Sequence, residues 1–154
     1  LECPLVDSCY AYDKDVVDSL PVKKGKVKVR NRYFNYFFIK QGEYTHLEKR
    51  TKKDIWHNLY QFPLVETSTK ISFEELLRSN KVQEFLKQFT DPTFTLMVDD
   101  FKHVLSHQHI QTSFYRIDIH DSGYLTDDYI KIKISDIDQY AIPRLIHLFV
   151  ERFL

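Results

Sequence analysis

Apolar and polar residues alternate along Lys26-Val27-Lys28-Val29-Arg30, the period-two pattern of a half-buried strand. The pattern runs on into Tyr33-Phe34-Asn35-Tyr36-Phe37-Phe38-Ile39, an apolar run that predicts a more deeply buried continuation of the same strand. Gln41-Gly42 predicts a turn, and Tyr44 to Arg50 a second strand, with a hairpin as the simplest connection.

The period then changes. Ser72-Phe73-Glu74-Glu75 is a capping-box pattern, in which Ser72 caps a helix and Glu75 reaches back to it. Asn80 is a candidate cap for a second short helix with Val82, Phe85, Leu86 and Phe89 at helical spacing. Beyond Asp91-Pro92 strands return at Phe94 to Val98, Phe101 to Leu105 and Ile110 to Ile119. A turn is expected at Asp121-Ser122-Gly123 and a further strand from Tyr129 to Ile134. Pro143, at a first helical position, opens a last helix that buries Leu145, Ile146, Phe149, Val150 and Phe153. Strands on both sides of a helical segment, closed by a terminal helix, predict an α+β domain. Ahead of it, residues 1–9 form a cysteine-bearing turn and 10–24 a polar connector that includes Pro21, leaving 25–154 as the domain proper.

A chain of 154 residues with 43% hydrophobic and 15% aromatic residues is long and apolar enough to bury a core. No apolar run approaches the length of a membrane span, and nothing at the start resembles a signal peptide. Two cysteines suit a reducing, cytoplasmic compartment and supply no disulfide framework. Three glycines leave little room for a Gly-rich phosphate cradle, which argues against a nucleotide-phosphate enzyme. The formal net charge is zero, yet eleven Lys/Arg and two acids, Glu43 and Glu48, lie between Lys23 and Lys53. Such separation either sets up a local positive field for phosphate, with Lys23, Lys24, Lys26, Lys28 and Arg50 as contacts, or is a solvated strand face.

Three stretches resemble the C-terminal domain of adenine DNA glycosylases of the MutY family. Leu47 to Pro63 is similar to a family segment in which Arg50, Trp56, Leu59, Tyr60, Phe62 and Pro63 hold the characteristic places. Phe101 to His107 resembles the family's His-x-Phe-Ser-His loop, with Leu105 where phenylalanine is usual. Ala141 to Ile146 is similar to its closing helix. Cys3 and Cys9, with Pro4 and Leu5 after the first, match the last two of the four cysteines that hold the family's 4Fe-4S cluster. Two thiolates cannot hold such a cluster, so the resemblance makes residues 1–9 the end of a cluster loop belonging to a catalytic domain absent from this chain. Residues 10–24 then become an interdomain connector.

The fold so implied is a Nudix-like αβα sandwich on a mixed sheet, related to MutT. Nudix hydrolysis of nucleoside diphosphates needs a Gly-rich turn and a helix of glutamates that hold divalent metal. Here Leu64-Val65-Glu66 follows Phe62-Pro63 without a glycine, and Glu74-Glu75 stands outside the required pattern. The resemblance therefore implies a recognition domain for 8-oxoguanine paired with adenine in double-stranded DNA. Adenine excision falls to the N-terminal glycosylase domain, which holds the acids that cleavage needs. Oxidation turns guanine N7 into a donor and adds an oxygen at C8, and a serine hydroxyl can meet either. Ser106 is thus the expected reader, Leu105 an apolar wedge, and His107 a loop-positioning or phosphate-contacting group. A protein-docking module is the alternative reading.

His103, His107 and His109 would share one face of an unbroken strand and could bind zinc, but a turn at Ser106 would separate them, and a surface role is preferred. Trp56 and Tyr60 are expected in the core rather than as base-stacking platforms. Arg50 has either a phosphate or a local acid for a partner.

Overall fold

The computed structural model describes residues 3–22, 25, 28–120 and 125–154. Lys23, Lys24, Lys26 and the expected turn at Asp121-Ser122-Gly123 lie outside them. The leader holds one helical turn, α1 (Tyr10–Asp13), between short 3-10 turns at Val6–Ser8 and Val17–Ser19. None of its described residues is buried.

The first strand, β1 (Arg30–Lys40), organises the domain. Its side chains alternate between two cores. Phe34, Tyr36 and Phe38 enter one, Phe37 and Ile39 the other, as the two-residue repeat requires. Seven further elements follow: β2 (Tyr44–Lys49), β3 (Tyr60–Gln61), β4 (Leu64–Thr67), α2 (Phe73–Arg78), α3 (Asn80–Leu86), β5 (Thr93–Val104) and β6 (Gln108–Asp118). The chain closes with β7 (Tyr129–Lys133), a 3-10 turn (Ile134–Gln139) and α4 (Arg144–Phe153). A four-stranded sheet of order β4-β1-β6-β5 is mixed, because β1 runs parallel to β6 and antiparallel to β4. A three-stranded antiparallel sheet has the order β3-β2-β7. Leu47, Ile132 and α4 residues Leu145, Ile146 and Phe149 cover one face of β1, and Leu76 of α2 with Val82 of α3 covers the other. This is the α+β, Nudix-like sandwich expected.

Several local expectations change. Strand structure begins at Arg30, so Lys28 and Val29 precede the sheet. The hairpin is nominal, since β1 and β2 share a bridge only at Gln41 and Tyr44, around Gly42 at φ +61°. β1 already has β4 and β6 on its two edges, so β2 crosses to the second sheet and finds its partners there. The two strands expected at 94–98 and 101–105 are one strand with register shifts near Val98. The capping box at Ser72 and Glu75 is present, but α3 is capped by the Ser79 hydroxyl, which accepts from Val82 N–H at 3.4 Å, and Asn80 is already helical. Pro143 is the residue before the helix rather than its first; its carbonyl accepts from the N–H of Ile146 and His147. Phe153 is 42% exposed, although its ring stacks on Phe149.

Candidate nucleic-acid interface

The sequence-predicted loop is the tip of the β5–β6 hairpin. Leu105 N–H donates to the Gln108 carbonyl at 2.8 Å, which closes the turn around Ser106 and His107. Both of these residues are exposed. Arg30 N–H donates to the His107 carbonyl at 3.0 Å, so the tip is fastened to the start of β1. Leu105 is half-buried against the main core and anchors the tip, whereas its neighbour Val104 is 59% exposed. Val104 is therefore the large apolar side chain that the tip presents to solvent, and nothing in the loop pattern marked it.

The turn also separates the histidines. His103 pairs across the ladder with Ile110, and His109 with Val104, while His107 stands at the tip. Burial lowers the pKa of His103, whose ring lies 5.9 Å from Trp56. Among the described residues no group of three or more His, Cys, Asp or Glu is placed to hold a metal. Trp56 and Tyr60 pack against the main core, as expected.

Behind the tip lies a polar network that the sequence pattern did not reveal. Arg32, 4% exposed, donates to both oxygens of Glu66 at 2.7 and 2.6 Å. It also donates to both oxygens of Asp54 at 2.9 and 2.7 Å, and to Gln108 Oε1 at 3.1 Å. One side chain thus ties β1 to β4, to the 51–59 loop and to the base of the hairpin. The hydrogen bond from Arg32 holds the Asp54 carboxyl below its usual range, and the bond to Glu66 pushes the Arg32 guanidinium further up.

Arg50, expected as a phosphate contact if not paired locally, is spent inside the protein. Its guanidinium donates to Ile55 O at 3.0 Å, Gln61 Oε1 at 2.8 Å and Asp54 Oδ2 at 3.1 Å. Gln61 also accepts from the buried Tyr36 hydroxyl at 3.1 Å and donates to Glu48 Oε1 at 2.6 Å. Burial raises the Glu48 pKa, with Gln61 and Arg50 opposing it. The left-handed backbone at Trp56 (φ +59°) and Asn58 (φ +67°) folds this loop back so that Asn58 N–H donates to Arg50 O at 2.8 Å.

Glu75 accepts from Ser72 N–H at 2.9 Å and is occupied as a cap. Asp54 and Glu66 are engaged by Arg32.

The family model described as NUDIX domain matches residues 35–152. The chain belongs to that family. The chain is 36% identical over 80 residues to an adenine DNA glycosylase of Buchnera aphidicola subsp. Schizaphis graminum, a match covering 52% of this chain and 22% of that protein. The matched part is thus about a fifth of that relative's length. Among solved structures, it is similar to the C-terminal domain of mouse MUTYH in its complex with human PCNA. The TM-score is 0.60 at 14% identity, covering 80% of this chain and 87% of that one. It is also similar to the MutT protein of Methanosarcina mazei Go1, with a TM-score of 0.58 at 14% identity, covering 82% and 95%. These structural likenesses confirm the fold.

Cys3 is exposed and Cys9 half-buried, and both are free thiols. The Cys9 carbonyl accepts from Tyr12 and Asp13 N–H at 3.1 and 3.0 Å, at the start of α1. Two thiols with no further grouped ligand among the described residues do not complete a four-thiolate site. No helix among the described residues is long and apolar enough to cross a membrane.

Proposed function

We propose that this NUDIX domain serves DNA base-excision repair, as the part of an adenine DNA glycosylase that reads 8-oxoguanine opposite adenine. The observation that carries the reading is the hairpin tip, where Ser106 and His107 are exposed on a turn braced from below by Arg32 and Gln108. A hydroxyl on a braced turn reads a base edge better than one on a mobile loop, because less freedom is lost on binding. Ser106 Oγ accepts from the N7–H that oxidation creates, where normal guanine has a bare acceptor nitrogen. Val104 supplies apolar surface against the neighbouring bases, and Leu105, half-buried beneath the tip, holds it in place rather than acting as the wedge itself. Lys28, exposed ahead of β1, and Lys23, Lys24 and Lys26 beside it in sequence meet phosphates without reading sequence. The similarity to the Buchnera adenine DNA glycosylase supports the repair role.

On this reading the adenine is excised by a separate N-terminal glycosylase domain, and Cys3 and Cys9 are two of the four thiolates of its 4Fe-4S cluster. The cytoplasm is the corresponding compartment. The test is Ser106→Ala in the full-length protein, with binding to 8-oxoguanine:A and G:A duplexes compared. Loss of one base-reading hydrogen bond is worth about 1–3 kcal/mol, roughly a 5- to 150-fold fall in lesion preference with affinity for G:A unchanged. An unchanged preference in variants of Ser106, Leu105 and His107 would leave the tip as a protein-docking surface instead.

A further inference from the structure

Beside the hairpin lies an open cleft of ≈ 680 Å³, bounded by the start of β1, the end of β2, the 50–54 segment and β4, with Lys81 of α3 on its wall. Five basic and three acidic side chains line it. The acids are answered from within the protein. Arg32 engages Asp54 and Glu66, Arg50 reinforces Asp54, and Glu48 is held by Gln61 with its pKa raised by burial. Among the described residues the exposed cations Arg30, Lys49, Lys52 and Lys81 form no ion pair, and only Lys49 has another partner, the Tyr60 ring at 5.9 Å. The surplus charge in the cleft is therefore positive and free to meet an anion.

We propose that this cleft binds the phosphodiester backbone of the DNA strand next to the base held at the hairpin tip. The proposal rests on the DNA-reading role above and adds the path of the strand. Arg30 joins the two places, since its N–H holds the His107 carbonyl while its side chain lines the cleft. The polar floor, with Gln61 and Glu48, is unsuited to an apolar peptide. A metal-bound pyrophosphate would need free carboxylates, and Asp54 and Glu66 are already committed to Arg32. A phosphodiester asks only for spaced cations, which Arg30, Lys52 and Lys81 provide. Lys81 comes from a helix outside the basic 23–53 stretch, so the charge pattern of the sequence gave it no binding role.

The experiment uses the full-length protein with Lys52→Ala, Lys81→Ala and the double variant. Lys133→Ala, an exposed lysine on β7 opposite Tyr44, is the control. Affinity for 8-oxoguanine:A and undamaged duplexes is measured from 50 to 200 mM salt, together with inorganic pyrophosphate as a competing ligand. Each single cleft variant should lower the salt slope by about 0.9 and the double variant by about 1.8, and all should weaken both duplexes alike and keep the lesion preference. Lys133→Ala should change nothing. If the wild type binds DNA with lesion preference but the cleft variants keep its slope, the cleft is off the strand path and the hairpin reading stands. Pyrophosphate binding lost in these variants, with DNA binding intact, would make the cleft a small-anion site and overturn the proposal. A wild-type protein that does not bind DNA overturns both.

Discussion

Replacing Arg32 by methionine should be the most damaging single change near the interface. The side chain is 4% exposed and makes five hydrogen bonds to Asp54, Glu66 and Gln108. Breaking a buried ion pair by removing one partner typically costs about 3–5 kcal/mol, because the other charge is left without compensation. The carboxylates here keep roughly a third of their exposure, 31% for Asp54 and 35% for Glu66, and water can partly replace the guanidinium. That relief reduces the expected cost to about 2–3 kcal/mol. For a domain of this size the melting midpoint should fall by roughly 4–12 °C. Arg32→Lys should recover only part, since a point charge cannot make two bidentate contacts. The deficit should also depend on pH. Asp54 has its pKa lowered in the folded state from an ordinary 3.8, so its contribution is complete above that value and is lost as pH falls through the lower folded one. Thermal melts of wild type and Arg32→Met from neutral pH to below pH 4 should therefore converge in acid. A variant that melts with the wild type at pH 7, or a deficit that persists undiminished in acid, would refute the ion-pair argument.

Phe149→Ala should cost about 3–5 kcal/mol in chemical denaturation, because its fully buried ring stacks on Phe114 at 4.0 Å and also meets Phe38 and Phe62; a loss below 1 kcal/mol would mean the core refills easily. His46 is buried with Nδ1 unpartnered and Lys131 opposite, and its pKa is lowered to about 4. Wild-type stability should thus fall as pH drops from about 6.5 towards 4, and His46→Leu should flatten that limb in pH-dependent denaturation. No Mg²⁺- or Mn²⁺-dependent hydrolysis of 8-oxo-dGTP or ADP-ribose is expected, because Glu75 caps α2; metal-dependent turnover that disappears in Glu75→Gln would overturn this.

What the sequence revealed and what it hid divide along the range of the interactions. The apolar run from Tyr33 to Ile39 and the capping box at Ser72 are local patterns, and both appear in the structure, the run as the buried part of β1. The choice of partner for β2 is not local, because it depends on whether the edges of β1 are already taken by β4 and β6. β3 and β4, two and four residues long, are too short to show a period, and they form because β2 and β1 offer edges to them. In the interface, the tip at Ser106 was legible as a loop between two apolar runs. The Arg32 network was not, since its partners lie 22, 34 and 76 residues away. A buried arginine within an apolar strand was the one local sign that acids would have to come to it.

The central claim is that Ser106 reads the hydrogen on N7 of the oxidised guanine, and a thermodynamic cycle tests it most directly. Full-length wild type and Ser106→Ala would each be titrated with duplexes carrying 8-oxoguanine or 8-oxo-7-deazaguanine opposite adenine, the second lesion having carbon in place of N7. If the hydroxyl accepts from N7–H, the serine and the N7 group should be coupled by about 1–3 kcal/mol, and Ser106→Ala should no longer distinguish the two lesions. Equal losses for both lesions in both proteins, with no coupling, would contradict the account.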